Sequence, residues 1–152
     1  MNAYAIQGEV NELVFIAPQD SIAQMDEKGV VRISFKDSRC LITIKINARD
    51  AVEREPTMEQ LQKQVQDQYP GSEIPQPMVC YSGIGSGYYF DVERATAYQS
   101  KLTTRTAFIT VQGAQVELSL AAASPKFAAE QIIFRGFLGS LQMEKRVALE
   151  QR

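Results

Sequence analysis

The chain has 152 residues, with 16 Lys and Arg against 18 Asp and Glu, and it contains no histidine. The length indicates one domain, and 45% hydrophobic with 22% charged residues is typical of a folded chain. The missing histidine excludes Ser-His-Asp catalysis, Cys-His catalysis and His-ligated zinc. A net charge of −2 argues against a general nucleic-acid binder, whose affinity comes from clustered cations.

The N-terminal segment indicates the compartment and the first strands. It lacks the basic and apolar regions of a signal peptide, and no apolar run in the chain approaches the roughly 18 residues of a membrane span. We therefore expect a cytoplasmic protein, although removal of a signal or lipoprotein segment would leave the same pattern. Ala3–Val10 is predicted to pair with Leu13–Ala17, and the polar stretch Gln19–Lys28 is expected to be a loop.

The first clear hairpin spans Val31 to Asn47. Apolar and polar residues alternate along Val31–Phe35 and again along Arg39–Asn47, as the period of two of a half-buried strand requires. The turn is predicted at Asp37–Ser38. One face of this hairpin therefore belongs to the core.

A helix is predicted to begin after Thr57. Thr57 and Gln60 have the spacing of a capping box, and Pro70–Gly71 ends the helix. The apolar stripe consists of Met58, Leu61, Val65 and Tyr69. Five glutamines are expected on the solvent side, namely Gln60, Gln62, Gln64, Gln66 and Gln68.

The glycine-rich segment between Met78 and Val92 is the least ordinary part of the sequence. A strand beginning at Met78–Tyr81 is interrupted by Gly83–Gly87 and resumes at Tyr88–Val92. The pattern is not a dinucleotide fingerprint, because strand residues rather than a helix follow the glycines. We therefore predict a hairpin loop or bulge in which glycine supplies positive φ.

This segment also carries the candidate binding residues, because neighbouring strand residues point to opposite faces and some aromatic rings should lie outside the core. Cover of those rings by a helix is the alternative. The candidates are Tyr81, Gly83, Gly85, Gly87, Tyr88 and Tyr89.

A second hairpin and a final helix complete the chain. Arg94–Thr103 is expected to be a loop, followed by strands at Arg105–Val111 and Ala114–Leu120 around a Gln112–Gly113 turn. Ser124 is predicted to cap the last helix, with Pro125 in its first turn. Its apolar face consists of Phe127, Ile133, Phe134, Phe137, Leu138 and Leu141.

Two glycines and a charged end complete the interpretation of this helix. Gly136 and Gly139 are expected where the helix closely approaches the strands. Met143–Arg152 is expected to extend the helix or to form a charged tail. We predict one α+β domain over residues 1–143, followed by that tail or helix extension over residues 144–152.

The thiols and carboxylates of the sequence offer few candidate functional sites. Cys40 and Cys80 are predicted to be buried free thiols, with a disulfide between them as the alternative. Asp91 and Glu93 share one strand face, where a solvated face is favoured over a cation or polar-ligand site. We predict no metal site, no catalytic residue and no cofactor.

The order of elements in the second half resembles the PsbP/DcrB-like superfamily over roughly Val30 to Leu141. The resemblance is carried by the helix ending at Tyr69–Pro70, the strands Gly87–Val92, Arg105–Val111 and Val116–Leu120, the Gln112–Gly113 turn, and the helix running to Phe137–Leu141. It implies an antiparallel curved sheet of about six strands flanked by two main helices, in a PsbP-like sandwich. It also implies a bacterial accessory or binding protein, because superfamily members include assembly subunits, lipoproteins, a small-GTPase regulator branch and chaperones.

These observations lead to a ranked set of functions. The first is a non-enzymatic accessory protein that holds a protein segment on a sheet face or at the aromatic loop. The alternative is a small-ligand-binding or carboxylate-based enzyme domain with a pocket between sheet and helix. A structural subunit that forms a homodimer through an exposed strand edge is the third.

Overall fold

The computed structural model describes residues 2–7, 11–50, 54–98, 100–111 and 113–145. Within these residues the chain forms ten strands and two helices. In chain order they are β1 (Asn2–Gln7), β2 (Asn11–Ala17), β3 (Ser21–Met25), β4 (Val31–Phe35), β5 (Ser38–Ala48), α1 (Met58–Gln68), β6 (Met78–Ser82), β7 (Gly85–Ala95), β8 (Lys101–Val111), β9 (Ala114–Ala123), α2 (Ser124–Ser140) and β10 (Gln142–Lys145).

The main sheet is antiparallel and has seven strands in the order β3-β4-β5-β9-β8-β7-β6. The two hairpins predicted from alternation, β4–β5 and β8–β9, are both confirmed. Gly113 has φ +81°, a left-handed conformation that glycine adopts without strain. The α+β class is confirmed, and the strand number is higher than the expected six.

A second sheet of three strands has the order β1-β2-β10. The predicted pairing of the first two strands is confirmed, with Tyr4 opposite Phe15. The chain does not continue the last helix past Leu141, because Gln142–Lys145 pairs with β2 as β10. Residues 146–152 of the predicted charged tail lie outside the described residues, as do 8–10 of the first predicted strand.

The expectation of a loop at Gln19–Lys28 is wrong, because this stretch contains strand β3. Ser21 is the one fully buried residue of the strand, whereas Ile22, Gln24 and Met25 are exposed. A strand at the edge of a sheet needs little apolar sequence, since its stability comes from backbone bonds to a single neighbour. Period-two hydrophobicity is therefore a poor indicator of such strands.

Helix α1 begins and ends where the sequence predicted. The Thr57 side chain accepts a hydrogen bond from the Gln60 amide at 3.1 Å, and the Gln60 side chain accepts one from the Thr57 amide at 2.9 Å, which completes the capping box. Leu61 and Val65 are buried against β7 and β8. Gln68 is exposed as predicted for the solvated glutamine face, although it also donates to Glu117 on β9 at 3.0 Å. Gln64 departs from that prediction, because it is half-buried and donates to Glu117 at 3.3 Å.

Helix α2 packs on the opposite face of the main sheet, and Pro125 lies in its first turn as predicted. The predicted cap is wrong, because the N-cap residue is Ala123 and the Ser124 hydroxyl instead shares a hydrogen bond with the Thr103 hydroxyl at 2.7 Å. The apolar face is confirmed: Phe134, Phe137, Leu138 and Leu141 are buried, and Phe127 and Ile133 are partly buried against the same cluster.

The core consists of two clusters, one on each face of the main sheet. The larger one lies between the sheet, α2 and the three-stranded sheet, where the ring of Phe15 meets that of Phe137 at 5.1 Å between centroids. The smaller one lies under α1 and includes Leu61, Phe90 and Phe108. Strand β8 therefore contributes buried side chains to both faces.

The cysteine prediction is confirmed. Cys40 and Cys80 are free, and both are buried in the larger cluster. Burial raises the pKa of each thiol above its ordinary value of 9.0, because removal from water penalises the thiolate.

These raised pKa values predict slow thiol chemistry in the folded protein. Reaction with an aromatic disulfide reagent near pH 8 should be slow before unfolding, whereas both thiols should react at once in denaturing guanidinium chloride. In the unfolded chain the thiols ionise near pH 9.0, below their native pKa. Their contribution to stability is therefore present below pH 9.0 and is lost as pH rises towards the native pKa. Rapid labelling of the native protein would contradict their burial.

Candidate functional site

The candidate residues lie on the β6–β7 hairpin. Ser82 pairs with Gly85, so the turn contains only Gly83 and Ile84. The expected interruption over Gly83–Gly87 is therefore shorter than predicted, because Gly85 and Gly87 belong to β7. Ser82 closes the turn, since its hydroxyl donates to the Gly85 carbonyl at 2.7 Å and accepts from the Ile84 amide at 3.2 Å.

Two of the three glycines allow close approach of backbone. A Cβ added to Gly87 would lie 2.0 Å from the carbonyl oxygen of Phe108 on β8, and one added to Gly83 would lie 2.0 Å from the carbonyl oxygen of Leu141. The Gly83 amide also donates to the Leu138 carbonyl at 3.0 Å, which ties the turn to the end of α2. Gly85 has φ +135°, a conformation that side chains disfavour, so the prediction that glycine supplies positive φ holds at this position.

The three candidate tyrosines have different surroundings. Tyr81 is 78% exposed. Tyr88 is partly buried against the cluster under α1, and Tyr89 is partly buried on the α2 face, so helices cover both rings as the alternative expectation stated. Tyr81 is therefore the candidate ring that remains available to a partner.

Tyr81 belongs to an apolar edge of the main sheet. Strand β6 is the last strand on its side of the order, and Met78, Val79 and Tyr81 are all exposed on it. Because side chains alternate along a strand, Val79 and Tyr81 lie on one face and Met78 on the other. From Ile74 to Phe90 the sequence has no charged residue. The edge is thus apolar on both faces and uncharged.

Behind this edge, Arg105 of β8 joins the sheet to α2. Its Nε and Nη2 donate to the two carboxylate oxygens of Asp91 at 2.8 and 2.9 Å, and its Nη1 donates to the Gln131 side chain at 3.0 Å. The guanidinium carbon lies 4.0 Å from the centre of the Tyr89 ring and 5.1 Å from that of Phe127. The guanidinium therefore contacts two aromatic rings, and such contacts suit planar Arg better than Lys.

The Arg105 cluster is an internal structural pair rather than an open site. The Arg105 side chain is only 14% exposed. Burial acts to lower the pKa of Arg105, but the hydrogen bonds and charge of Asp91 outweigh it and raise that pKa above its ordinary value. Sequence alternation placed Asp91 correctly on the face opposite Phe90, yet it could not show the cation 14 residues later in the chain that occupies both of its oxygens.

The remaining carboxylate of the predicted pair is also matched to a cation. Glu93 lies 3.5 Å from the Lys101 ammonium in an exposed cross-strand ion pair. The strands extend further than predicted here, since β7 continues to Ala95 and β8 begins at Lys101, which shortens the expected Arg94–Thr103 loop. Among the described residues no group of three thiol or carboxylate side chains could hold a metal ion, and no helix could span a bilayer.

Comparisons with known proteins identify the fold. No family model matches the chain, and no curated protein matches it by sequence. Among solved structures, LpqN, involved in cell envelope biogenesis of Mycobacterium tuberculosis, superposes with a TM-score of 0.62 at 10% identity, covering 94% of this chain and 91% of LpqN. The cyanobacterial PsbP of Synechocystis sp. PCC 6803 gives 0.57 at 14% identity, covering 93% and 91%.

The chain has a PsbP-like fold. The Ran-binding protein Mog1p of Saccharomyces cerevisiae also shares it, with a TM-score of 0.56 at 12% identity over 93% of this chain and 95% of Mog1p. A Bacteroides thetaiotaomicron protein matches 92% of this chain with a TM-score of 0.59 at 13% identity, and the chain spans 47% of its length. The resemblance predicted from the order of elements is therefore confirmed at the level of the fold.

The close backbone contact at Gly87 predicts a strong substitution effect. Gly87→Ala should lower the free energy of unfolding by roughly 1–3 kcal/mol or more, because the new methyl group overlaps the Phe108 carbonyl and the strands must separate. Gly139→Ala is the control, since its added methyl group meets nothing within 4 Å, and it should raise stability by up to about 1 kcal/mol. Urea unfolding measures both. Equal effects would contradict the contact.

The Arg105 cluster predicts a contrast between two neighbouring carboxylates. Asp91→Ala should lower the free energy of unfolding by roughly 1–3 kcal/mol, because Arg105 stays largely buried after losing its main acceptor. Glu93→Ala removes an exposed ion pair of the same two strands and should change stability by no more than about 0.5 kcal/mol. Thermal unfolding compares them, and similar losses would argue against a special role for Asp91.

Proposed function

We propose that this protein is a non-enzymatic accessory protein that holds an extended segment of a protein partner along β6. Tyr81 is the main anchor, Val79 lies beside it on the same face, and the glycines of the β6–β7 turn shape the platform. The observation that carries the proposal is an uncharged edge strand with exposed apolar side chains on both faces.

Strand edges attract extended chains because alternate backbone N–H and C=O groups point away from the sheet. Soluble proteins usually protect such edges with charges, bulges or covering segments. The opposite edge strand, β3, ends beside a charged pair, since Asp26 accepts a hydrogen bond from Arg32 at 2.6 Å. Strand β3 itself has no charged residue, but Asp20 and Asp26 flank it directly. The uncharged stretch around β6 extends from Ile74 to Phe90, which favours β6 as the binding edge.

The hairpin is also held rigidly before any partner arrives. The hydrogen bond from Gly83 to Leu138 fixes the turn, and the close approach of the Gly87 and Phe108 backbones fixes the strand that follows it. Tyr88 and Tyr89 pack on opposite faces of β7 and support the strand next to β6. A preordered edge loses little conformational entropy on binding, which increases affinity for a given contact area.

Two further observations support binding over catalysis. Both carboxylate oxygens of Asp91 are occupied by Arg105, so this carboxylate is poorly suited to general acid-base chemistry. Structures of the same fold include a Ran-binding protein, which indicates that the scaffold is suited to protein partners.

The proposal is tested with linear peptides selected by display on the purified full chain. The best peptide should bind at least about tenfold more weakly to Tyr81→Ser, because a central aromatic anchor is lost. Tyr98→Ser is the matched control, since Tyr98 is 92% exposed but lies in the β7–β8 connection, and its affinity should change less than about twofold. Titration calorimetry measures the affinities.

The binding mode is tested with the same peptide methylated at alternate backbone nitrogens. Strand addition predicts that one alternate set abolishes binding and the other does not, because only one set faces the β6 edge. Undiminished binding of the peptide to Tyr81→Ser would overturn the proposal. So would NMR chemical-shift changes on peptide binding that are confined to the backbone amides of β3. A chain that is dimeric in sedimentation and becomes monomeric on Tyr81→Ser would show that a second copy, rather than another protein, occupies the edge.

A further inference from the structure

An apolar cavity lies between α2 and the far half of the main sheet, away from β6. Its volume is about 350 Å³, within the range of small-ligand sites. The walls come from the end of β2, from β4 and β5, and from α2, and include Ile16, Ile33, Phe35, Ile42, Ile133 and Phe137. Strands β9, β8 and β7 separate β4 and β5 from β6, so the cavity and the proposed binding edge are distinct places.

The side chains that line the cavity offer a ligand no spare polar group. Its hydroxyl is that of Ser140, which accepts from the Ile16 amide at 3.0 Å and donates to the Phe137 carbonyl at 2.8 Å. No charged side chain lines it. A polar or ionised group inside would lose its hydration without compensation, so the part of a ligand that enters must be apolar.

Gly136 and Ile132 both line the cavity and are exposed, Ile132 to 66%, so we place the mouth of the cavity beside them. The expectation that Gly136 and Gly139 allow close approach to the strands is wrong, since a Cβ at either position would meet nothing within 4 Å. Glycine inside a helix lowers its stability by about 1 kcal/mol relative to alanine. At Gly136 that cost has no packing reason, but the missing side chain leaves the cavity accessible from solvent.

We propose that this cavity binds the unbranched hydrocarbon chain of a small amphiphile, with the polar head left at the mouth. At about 30 Å³ per water-sized group, the volume holds a chain of about ten carbon atoms. A protein segment fits less well, because its backbone amides would find no partner in the cavity. The exposed Ile132 and the partly exposed Ile16 provide apolar rim that such a chain would cover.

The probes are 1-decanol and decanoate, which share a chain length and differ in the head group, each used below its aggregation or solubility limit. Isoleucine methyl NMR on the full chain locates them. Binding should shift the five isoleucines that line the cavity, namely Ile16, Ile33, Ile42, Ile132 and Ile133. Ile22, exposed elsewhere, and Ile109, buried elsewhere, should not move. Both probes should bind, since the head stays outside.

A matched pair of glycine variants tests the site itself. Gly136→Leu adds a bulky side chain to a residue that lines the cavity, and should weaken decanol binding at least about tenfold by obstructing the mouth. Gly139→Leu adds the same side chain to the same helix outside the cavity, and should change it less than about twofold. Ile132→Asn, at an exposed rim position, should weaken binding while the protein remains folded.

Three results would overturn the inference. They are methyl shifts spread equally to Ile22, equal affinities for the two leucine variants, and absence of binding by both probes. Shifts of the same methyl groups by the β6-selected peptide, with none from decanol or decanoate, would assign the cavity to a peptide side chain instead. The three results obtained with decanol, decanoate and the leucine variants do not involve Tyr81, so failure here is distinguishable from failure of the β6 proposal.

Discussion

The structure depends on the burial of β8 on both of its faces. A strand near the middle of a sheet sends successive side chains to opposite sides, so a fully covered strand needs two covering layers. Ala107 and Ile109 lie under α2, and Phe108 lies under α1. The two helices therefore occupy opposite faces of one sheet. On the edge strand β6, Cys80 is buried in the larger cluster, whereas Tyr81 and its apolar neighbours extend beyond this cover.

Because both faces of β8 are covered, the charged side chain of Arg105 on this strand lies largely inside the protein. Arg105 points to the α2 face where the sheet approaches its β6 side, and its charge must be balanced there. Asp91 provides both oxygens, Gln131 provides a third acceptor from the helix, and the guanidinium carbon lies 4.0 and 5.1 Å from the centres of two aromatic rings. The charged side chain of Arg105 thus holds helix and sheet together, and its guanidinium covers part of the Tyr89 ring.

The two proposed sites differ in how far the sequence could predict them. Tyr81 was among the candidates because alternation near the glycines required some rings to leave the core. Alternation could not separate Tyr81 from Tyr88 and Tyr89, since the position of each helix over the sheet depends on contacts between distant segments. The apolar cavity has no signal of its own in the sequence, because its isoleucines are spread over four separate elements and follow the ordinary patterns of those elements.

Local patterns in the sequence determined the two clear hairpins, the capped start of α1 and the burial of both cysteines, because period-two alternation, capping spacing and turn residues act between near neighbours. They also allowed the PsbP-like order of elements to be recognised. Only the tertiary structure decided that Gln142–Lys145 joins β2, that Ser21–Met25 is an edge strand, and that Arg105 neutralises Asp91. Each of these depends on a partner segment supplied by the fold, and the nearby sequence carries no record of that partner.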